Sequence, residues 1–371
     1  MMYGVVIQME RALVDEFVEL VSIDAESGDE ARMASTVADK LRAIGLDVTV
    51  DGAGNVVGRT PAAAGCRCHG EPFILCAHLD RVKPGRGIRP VIADGIIRSS
   101  GDTILAADDI AGVTAILAGL RGAAARGGEL PAVEVVFTVG EEVHLAGAQG
   151  LDYASLRSKE AYIFDASRPV GVVVTSSPTH VGIEAYVTGR AAHAAVNPHE
   201  GVSAIQAAAR GVVRLPFGWV DDHTTANVGV VTGGTATNIV CDHVMLRGEV
   251  RSLDAANAMQ LAEDFANVIK LEAATVGAAA EVAISVQYHG YVIADDAPVV
   301  KRVARAIEAL GRDLVIESTM GGSDGNVFNV NGITSVVLGT GCDSVHSTRE
   351  SLPVSELVAC AALVEALLTQ H

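Results

Sequence analysis

Four apolar runs of this chain each end in residues able to ligate a metal or move a proton. Phe73–Ala77 ends in His78-Leu79-Asp80, and Val133–Val139 ends in Gly140-Glu141-Glu142. Ala161–Phe164 ends in Asp165, and Ser335–Leu338 leads through the glycine loop GTGCDSV to His346. Such runs read as buried strands of a parallel sheet. In open α/β sheets, ligands bind beyond the carboxyl ends of the strands. A fifth candidate, Asp108, stands with Asp109 where Gly101–Leu120 takes on a small, apolar pattern at helical spacing. Two imidazoles and three carboxylates at one sheet edge suit two borderline cations: zinc, cobalt or manganese.

If Asp108 bridges, each ion receives one His, one terminal carboxylate and half of the bridge. A two-ion site of that kind clamps the attacking and leaving oxygens of a hydrolysis. Neighbouring side chains diverge as they leave a strand, so Glu141 and Glu142 are not expected to share an ion. Glu141 is then the candidate general base, taking a proton from the attacking water and passing it to a leaving amine. Asp80 lies two residues beyond His78, on the same side of a continuing strand. It is placed to hold the ring nitrogen that faces away from the metal.

Taken singly, each residue has a plainer reading. His-x-Asp after an apolar run is common, Glu-Glu at a strand end is usually a solvated loop entry, and Asp108 alone reads as a helix N-cap. His346 in a polar loop reads as a surface residue. Convergence of all of them at one edge is what favours a two-metal hydrolase.

The bulk properties fit. At 371 residues the chain exceeds one ordinary core, so two domains are expected. Hydrophobic residues make up 49%, with 39 glycines and few aromatics, as in a globular α/β enzyme. The net charge of -18 argues against nucleic acid or an anionic membrane as the main partner. No segment approaches the ~20 apolar residues of a membrane span, and the opening residues carry no basic, apolar and cleavage regions of a signal peptide. The six cysteines are scattered and read as thiols of a reducing compartment, the cytoplasm. Cys66-Arg67-Cys68-His69 lacks a second ligand pair and reads as an ordinary loop.

The elements that must position these residues can be followed along the chain. Met9, Leu13, Phe17 and Leu20 mark one face of a first helix. Ser27-Gly28-Asp29-Glu30 has the spacing of a capping box, and the next helix turns Met33, Val37, Leu41 and Ile44 inward before stopping at Gly45. Leu46–Val50 reads as a strand, and Arg81–Ser100 as a long Gly- and Pro-rich functional loop. Residues 179–289 form their own unit: a strand (His180–Thr188), a helix (Gly201–Val213), two strands (Ala226–Thr232, Val244–Leu253), a helix (Ala255–Thr275) and a strand (Glu281–Tyr288). That βαββαβ order is ferredoxin-like. The remainder, from Ala297, returns to an α/β pattern: a helix, a strand, the Ser335–Leu338 strand and a closing helix. The expected architecture is therefore an α/β domain with a mixed, mostly parallel sheet, formed by residues 1–178 and 290–371. An α+β lid spanning 179–289 is inserted into it.

With these residues in place, the chain resembles the peptidase T-like branch of the two-zinc peptidases. That family includes carboxypeptidase G, acetylornithine deacetylase, succinyl-diaminopimelate desuccinylase and aminoacylase. The likeness covers almost the whole chain. Its motifs are AHLD (77–80), SSGDTILAADDIAG (99–112), VGEEVHLAGAQGL (139–151), FDAS (164–167), GRAAHAAVNPHEGVSAI (189–205), TGGTATNIV (232–240), GEVRS (248–252), GGSDGNVF (321–328) and LGTGCDSVHS (338–347). The resemblance implies that His78 and Asp165 hold one metal, Glu142 and His346 the other, with Asp108 as bridge. It implies Glu141 as base, Asp80 as the support of His78, and a lid that dimerises. His193 falls in the motif whose His polarises the scissile carbonyl, often from across the dimer. Asn238 and Arg251 match positions near the substrate, Arg251 as an anchor for a carboxylate; the plainer reading of Arg251 is a strand partner of Glu249 or Asp254.

Three departures from the family pattern touch the expected mouth of the site: Arg81 in place of the usual Thr, Ile110 in place of Lys, and His144 in place of Gly. Three functions follow from the sequence. The first is an aminopeptidase for short peptides; the second is a carboxypeptidase or N-acyl amino acid deacylase using Arg251. The third is a non-catalytic binding member of the fold, which the intact base and ligand set disfavour.

Overall fold

In the computed structural model, which describes residues 2–61, 71–127 and 130–370, the four chemistry-bearing strands are neighbours in one sheet. Val133–Thr138 pairs in parallel with Phe73–His78, which pairs in parallel with Glu160–Ala166, which in turn takes Thr334–Gly339. Parallel pairing brings all four carboxyl ends to one edge, as the apolar runs require. Phe73–His78 is buried throughout, consistent with a strand covered by helices on both faces. Antiparallel strands flank this centre. Val56–Arg59 lies on one side, with Asp47–Val50 beyond it, and Val172–Ser177 lies on the other. The sheet is thus mixed, with a parallel centre.

Helix Met2–Val21 buries Leu13, Phe17 and Leu20, but Met9 is 62% exposed, one turn before the helix meets the core. Helix Ala31–Ile44 buries Met33, Val37 and Leu41, leaves Ile44 half-buried, and ends at Gly45 in the left-handed region (φ 103°). The expected capping box does not form. The Ser27 hydroxyl donates to Asp80 instead, and the Glu30 carboxylate takes the Gly28 N–H. Arg81–Ser100 is more ordered than its Gly and Pro content suggests. It contains the hairpin Pro90–Ala93 with Ile96–Ser99, and Ser351–Pro353 adds a third strand. A short helix absent from the sequence reading, Asp324–Val330, precedes Thr334–Gly339 and is capped by Ser323.

The chain divides into two compact units. One is Met1–Thr175 with Val292–Ser318 and Ser323–His371; the other is Ser176–Tyr291 with Thr319–Gly322. The second unit has a core of its own under a five-stranded antiparallel sheet. Its four long strands run in the order Thr224–Gly233, His243–Ser252, Thr179–Thr188, Ala279–Tyr288. With helices Ala204–Val213 and Ala255–Thr275 packed on each other, this is the ferredoxin-like arrangement. A short strand, Gly218–Asp221, extends its edge.

Cys76, Cys241, Cys342 and Cys360 are free thiols, and Cys66–His69 lies outside the described residues. Among the described residues no helix is long and apolar enough to cross a membrane.

Candidate metal centre

Asp108 stands between two imidazoles. Its Oδ1 lies 3.3 Å from His78 Nε2, and its Oδ2 lies 3.3 Å from His346 Nε2. On the His78 side, Asp165 Oδ1 is 3.7 Å from the same Nε2; on the other, Glu142 Oε1 is 2.8 Å from His346 Nε2. Potential donor atoms of His78, Asp108 and Asp165 thus lie within 4.8 Å of one another, as do those of Asp108, Glu142 and His346. Asp108 belongs to both groups, with one oxygen turned to each. A carboxylate placed in this way could serve two cations at once.

The backbone explains how the residues meet. His78 ends a buried strand, and its Nδ1 donates to the carbonyl oxygen of Asp80 at 3.0 Å, leaving Nε2 to face the carboxylates. The Asp80 carboxylate is farther from that ring nitrogen, at 3.5 Å. It instead accepts the backbone N–H groups of Glu141 (2.9 Å) and Glu142 (3.2 Å), and the Ser27 hydroxyl (2.7 Å). Asp108 is not a helical N-cap. The cap bond is made by Asp109, whose Oδ1 accepts the Gly112 N–H while its Oδ2 accepts the His78 N–H.

Glu141 and Glu142 do not diverge as they would on a continuing strand. Gly140 turns the chain at φ 59°, and both glutamates offer an oxygen within 4.8 Å of each other and of His78. Asn55, buried in the turn before Val56, fixes this bend from below. Its Oδ1 accepts the Val139 N–H, and its Nδ2 donates to the Gly147 carbonyl.

Electrostatics describe a cluster that repels itself. Burial, followed by the charges of Asp324 and Glu142, pushes Glu141 well above the ordinary carboxylate range; burial and Glu141 do the same to Asp165. Burial opposes charge on His78, yet Asp108, Asp80 and Asp165 raise its pKa well above the imidazole value. Asp108 and Glu142 raise His346 to about 10. The site thus favours bound positive charge, which divalent cations would supply through the same donors. Two imidazoles and three carboxylates, split into two groups by one shared carboxylate, fit two divalent ions.

Other residues fall elsewhere. His193 is exposed on the second unit, where its Nδ1 accepts the N–H groups of Ala195 and Val196. Those bonds place the proton of the neutral ring on Nε2. Asn238 is exposed, and its carbonyl accepts the Ala194 N–H. Arg251 is tied to the Glu249 carboxylate through Nε (3.1 Å) and Nη2 (3.3 Å), while Nη1 donates to the Tyr288 hydroxyl and the Met320 carbonyl. The hydrogen bond from His180, together with Arg251, holds Glu249 at about 2.

The three departures do not share a mouth. Arg81 and Ile110 are fully buried, and only His144 is exposed, held at φ 67°. Arg81 lies beneath the strand end with Nη1 on the Val21 carbonyl; its Nε and Nη2 have no partner among the described residues.

Four residues that serve this centre were not identified from sequence: Ser27, Asn55, Asp324 and Glu350. Asp324 is a fully buried carboxylate that accepts the Thr138 hydroxyl, and burial raises it to about 6. Asp324 falls inside GGSDGNVF, a motif that was legible; Ser27, Asn55 and Glu350 carry no local signal of their partners.

Residues 175–276 match the model of an M20-type peptidase dimerisation domain. The chain is 35% identical over 365 residues to the uncharacterized protein YqjE of Bacillus subtilis, covering 97% of this chain and 98% of that one. Among solved structures it is similar to the aminopeptidase PepT of Bacillus cereus (38% identity, TM-score 0.87, 97% and 98% covered). It is also similar to a tripeptidase of Staphylococcus aureus (37% identity, TM-score 0.92, 97% of each chain). A shared fold over the full length, this level of identity and a two-group donor set place the chain: it belongs to the peptidase T-like branch of the two-metal M20 peptidases, a family of hydrolases.

Proposed function

We propose that the protein is a metal-dependent aminopeptidase that hydrolyses short peptides, tripeptides among them. The observation that carries this reading is Asp108, whose two oxygens are divided between His78 and His346 with Glu141 alongside. The names of the two similar solved enzymes, an aminopeptidase and a tripeptidase, support the substrate class.

In this reading His78 and Asp165 hold one ion, Glu142 and His346 the other, and Asp108 bridges. Zinc is the ion assigned; manganese and cobalt suit the same donors. When bound, the ions polarise the scissile carbonyl and acidify the attacking water. Glu141, buried beside His78 and Glu142, is assigned the ionised base that would take a proton from that water and deliver it to the departing nitrogen. Asp80 holds the Glu141 and Glu142 amides, so that base and ligand are aimed together. His193, with its proton on Nε2, is assigned the donor to the carbonyl oxygen. Asn238 is assigned to the substrate-binding surface. The second unit is read as the lid and the homodimer interface, in keeping with its match to a dimerisation domain. Free thiols suit a reducing, cytoplasmic setting.

The second reading, a carboxypeptidase or N-acyl amino acid deacylase, requires Arg251 to grip a substrate carboxylate. Arg251 is already committed to Glu249, Tyr288 and Met320, which favours the first reading. The test is a panel of free tripeptides, the same peptides blocked at either end, and N-acetyl amino acids, with metal-loaded protein. An aminopeptidase loses activity on amino blocking alone and releases a single residue from that end. Turnover of amino-blocked substrates that depends on a free carboxylate would replace it with the second reading.

A further inference from the structure

We infer that Glu350 is a positioning residue that locks the bridging Asp108 and the loop of His346 into one rigid frame. The inference rests on the two-metal reading of the site. Glu350 is 1% exposed, and its carboxylate gathers three backbone N–H groups from a segment about 240 residues away. Oε2 accepts from Leu105 and Ala106, both at 2.8 Å, and Oε1 accepts from Asp108 at 3.0 Å.

The segment needs such a partner. Ala106 sits at φ 59° and Asp108 at ψ 104°, so neither amide enters a helical ladder. The neighbouring Asp109 carboxylate is already engaged by the amides of His78 and Gly112 and cannot take its place. At its other end Glu350 lies four residues after His346. Its own N–H donates to the Ser347 carbonyl, the Ser347 hydroxyl donates to the Ser344 carbonyl, and Ser351 pairs with Asp343 across the loop. One carboxylate therefore joins the backbone that aims Asp108 to the base of the loop that presents His346. The 3.3 Å approach of Asp108 Oδ2 to His346 Nε2 is set by that connection. Outer groups of this kind characteristically control metal affinity through ligand orientation.

Glu350→Gln tests the inference, because it keeps the shape but turns an amide nitrogen toward at least one N–H donor. Metal-free full-length protein is titrated with cobalt(II), following binding by calorimetry and ligand geometry by the visible spectrum. Wild type should take two ions. The variant should bind at least one of them about 10- to 100-fold more weakly, with an altered spectrum. Its kcat should fall, be partly restored by excess cobalt, and leave KM for a peptide nearly unchanged. Two ions bound with wild-type affinity and an unchanged spectrum would overturn the inference, even if the melting temperature drops, since that would be a purely structural role. Failure of wild type to bind two ions would remove the two-metal reading, and the inference with it. Should the variant not fold, amide hydrogen exchange of metal-free wild type decides. Slow exchange at Leu105, Ala106 and Asp108 supports the frame, and loop-like rates at those amides overturn it.

Discussion

The Oδ1 atom of Asp80 accepts the backbone N–H of Glu141 at 2.9 Å, so the residue expected to steady His78 also fixes the expected base. The same carboxylate takes the Glu142 amide, and the carbonyl of Asp80, not its carboxylate, is the nearer partner of the His78 ring. One residue beyond the end of one strand thus holds both the His78 ring and the turn beside it. Asp80→Asn should lower metal affinity and kcat together, by about 10- to 100-fold, because its NH2 would confront an amide donor. Calorimetric metal titration and steady-state kinetics check this. A fall in kcat with unchanged metal affinity would confine Asp80 to the base.

Glu141→Gln should keep both ions and lose about 10²- to 10⁴-fold in kcat, the range of a missing general base. Metal content by elemental analysis and peptide turnover separate the two effects. Loss of metal in this variant would make Glu141 a ligand, as its proximity to His78 and Glu142 allows.

The metal-free protein should lose stability as pH rises, and metal should reverse the trend. Contacts with Asp108 and Glu142 raise the folded pKa of His346 to about 10. A raised imidazole stabilises fully below its unfolded value, about 6.5, and the contribution disappears as pH climbs through about 10. Burial raises Glu141 and Asp165, which adds cost in the same direction as they ionise. His346 is half exposed, so solvent screening reduces its share. Melting curves from pH 6 to 9 should show the gap between loaded and metal-free protein widening. Metal binding near neutral pH should release protons from the two imidazoles and from the raised carboxyls, measurable as a dependence of binding heat on buffer ionisation enthalpy.

His144→Gly should stabilise the protein by about 0.5–1 kcal/mol, the αL cost of a side chain less the extra freedom glycine has when unfolded. His144 is exposed at φ 67°. Metal titration should be indistinguishable from wild type, and the melting temperature is the measurement. A drop in metal affinity would give His144 a part in the site.

Asp165, Glu142 and His78 were legible at one sheet edge because each follows an apolar run, and such a run packs as a buried strand of the sheet centre. The ferredoxin-like unit was legible for the same reason, its strands and helices announcing themselves by period 2 and period 3.6. The capping box at Ser27–Glu30 failed for the opposite reason. A capping box needs the Ser27 oxygen to accept an N–H of the helix start, but the helix begins only after Glu30 and the Ser27 hydroxyl donates to Asp80.

By itself the sequence determined which chemistry is present and which strand ends carry it, since hydrophobic patterning and residue type are local properties. Tertiary structure alone decided what is aimed at what. Asp80 grips the amides of Glu141 and Glu142, Asn55 takes the Val139 amide, and Glu350 reaches back some 240 residues to the amides around Asp108. Those are hydrogen bonds between groups far apart in the chain, formed where burial leaves a donor no water to turn to, and nothing in the local order of residues encodes them.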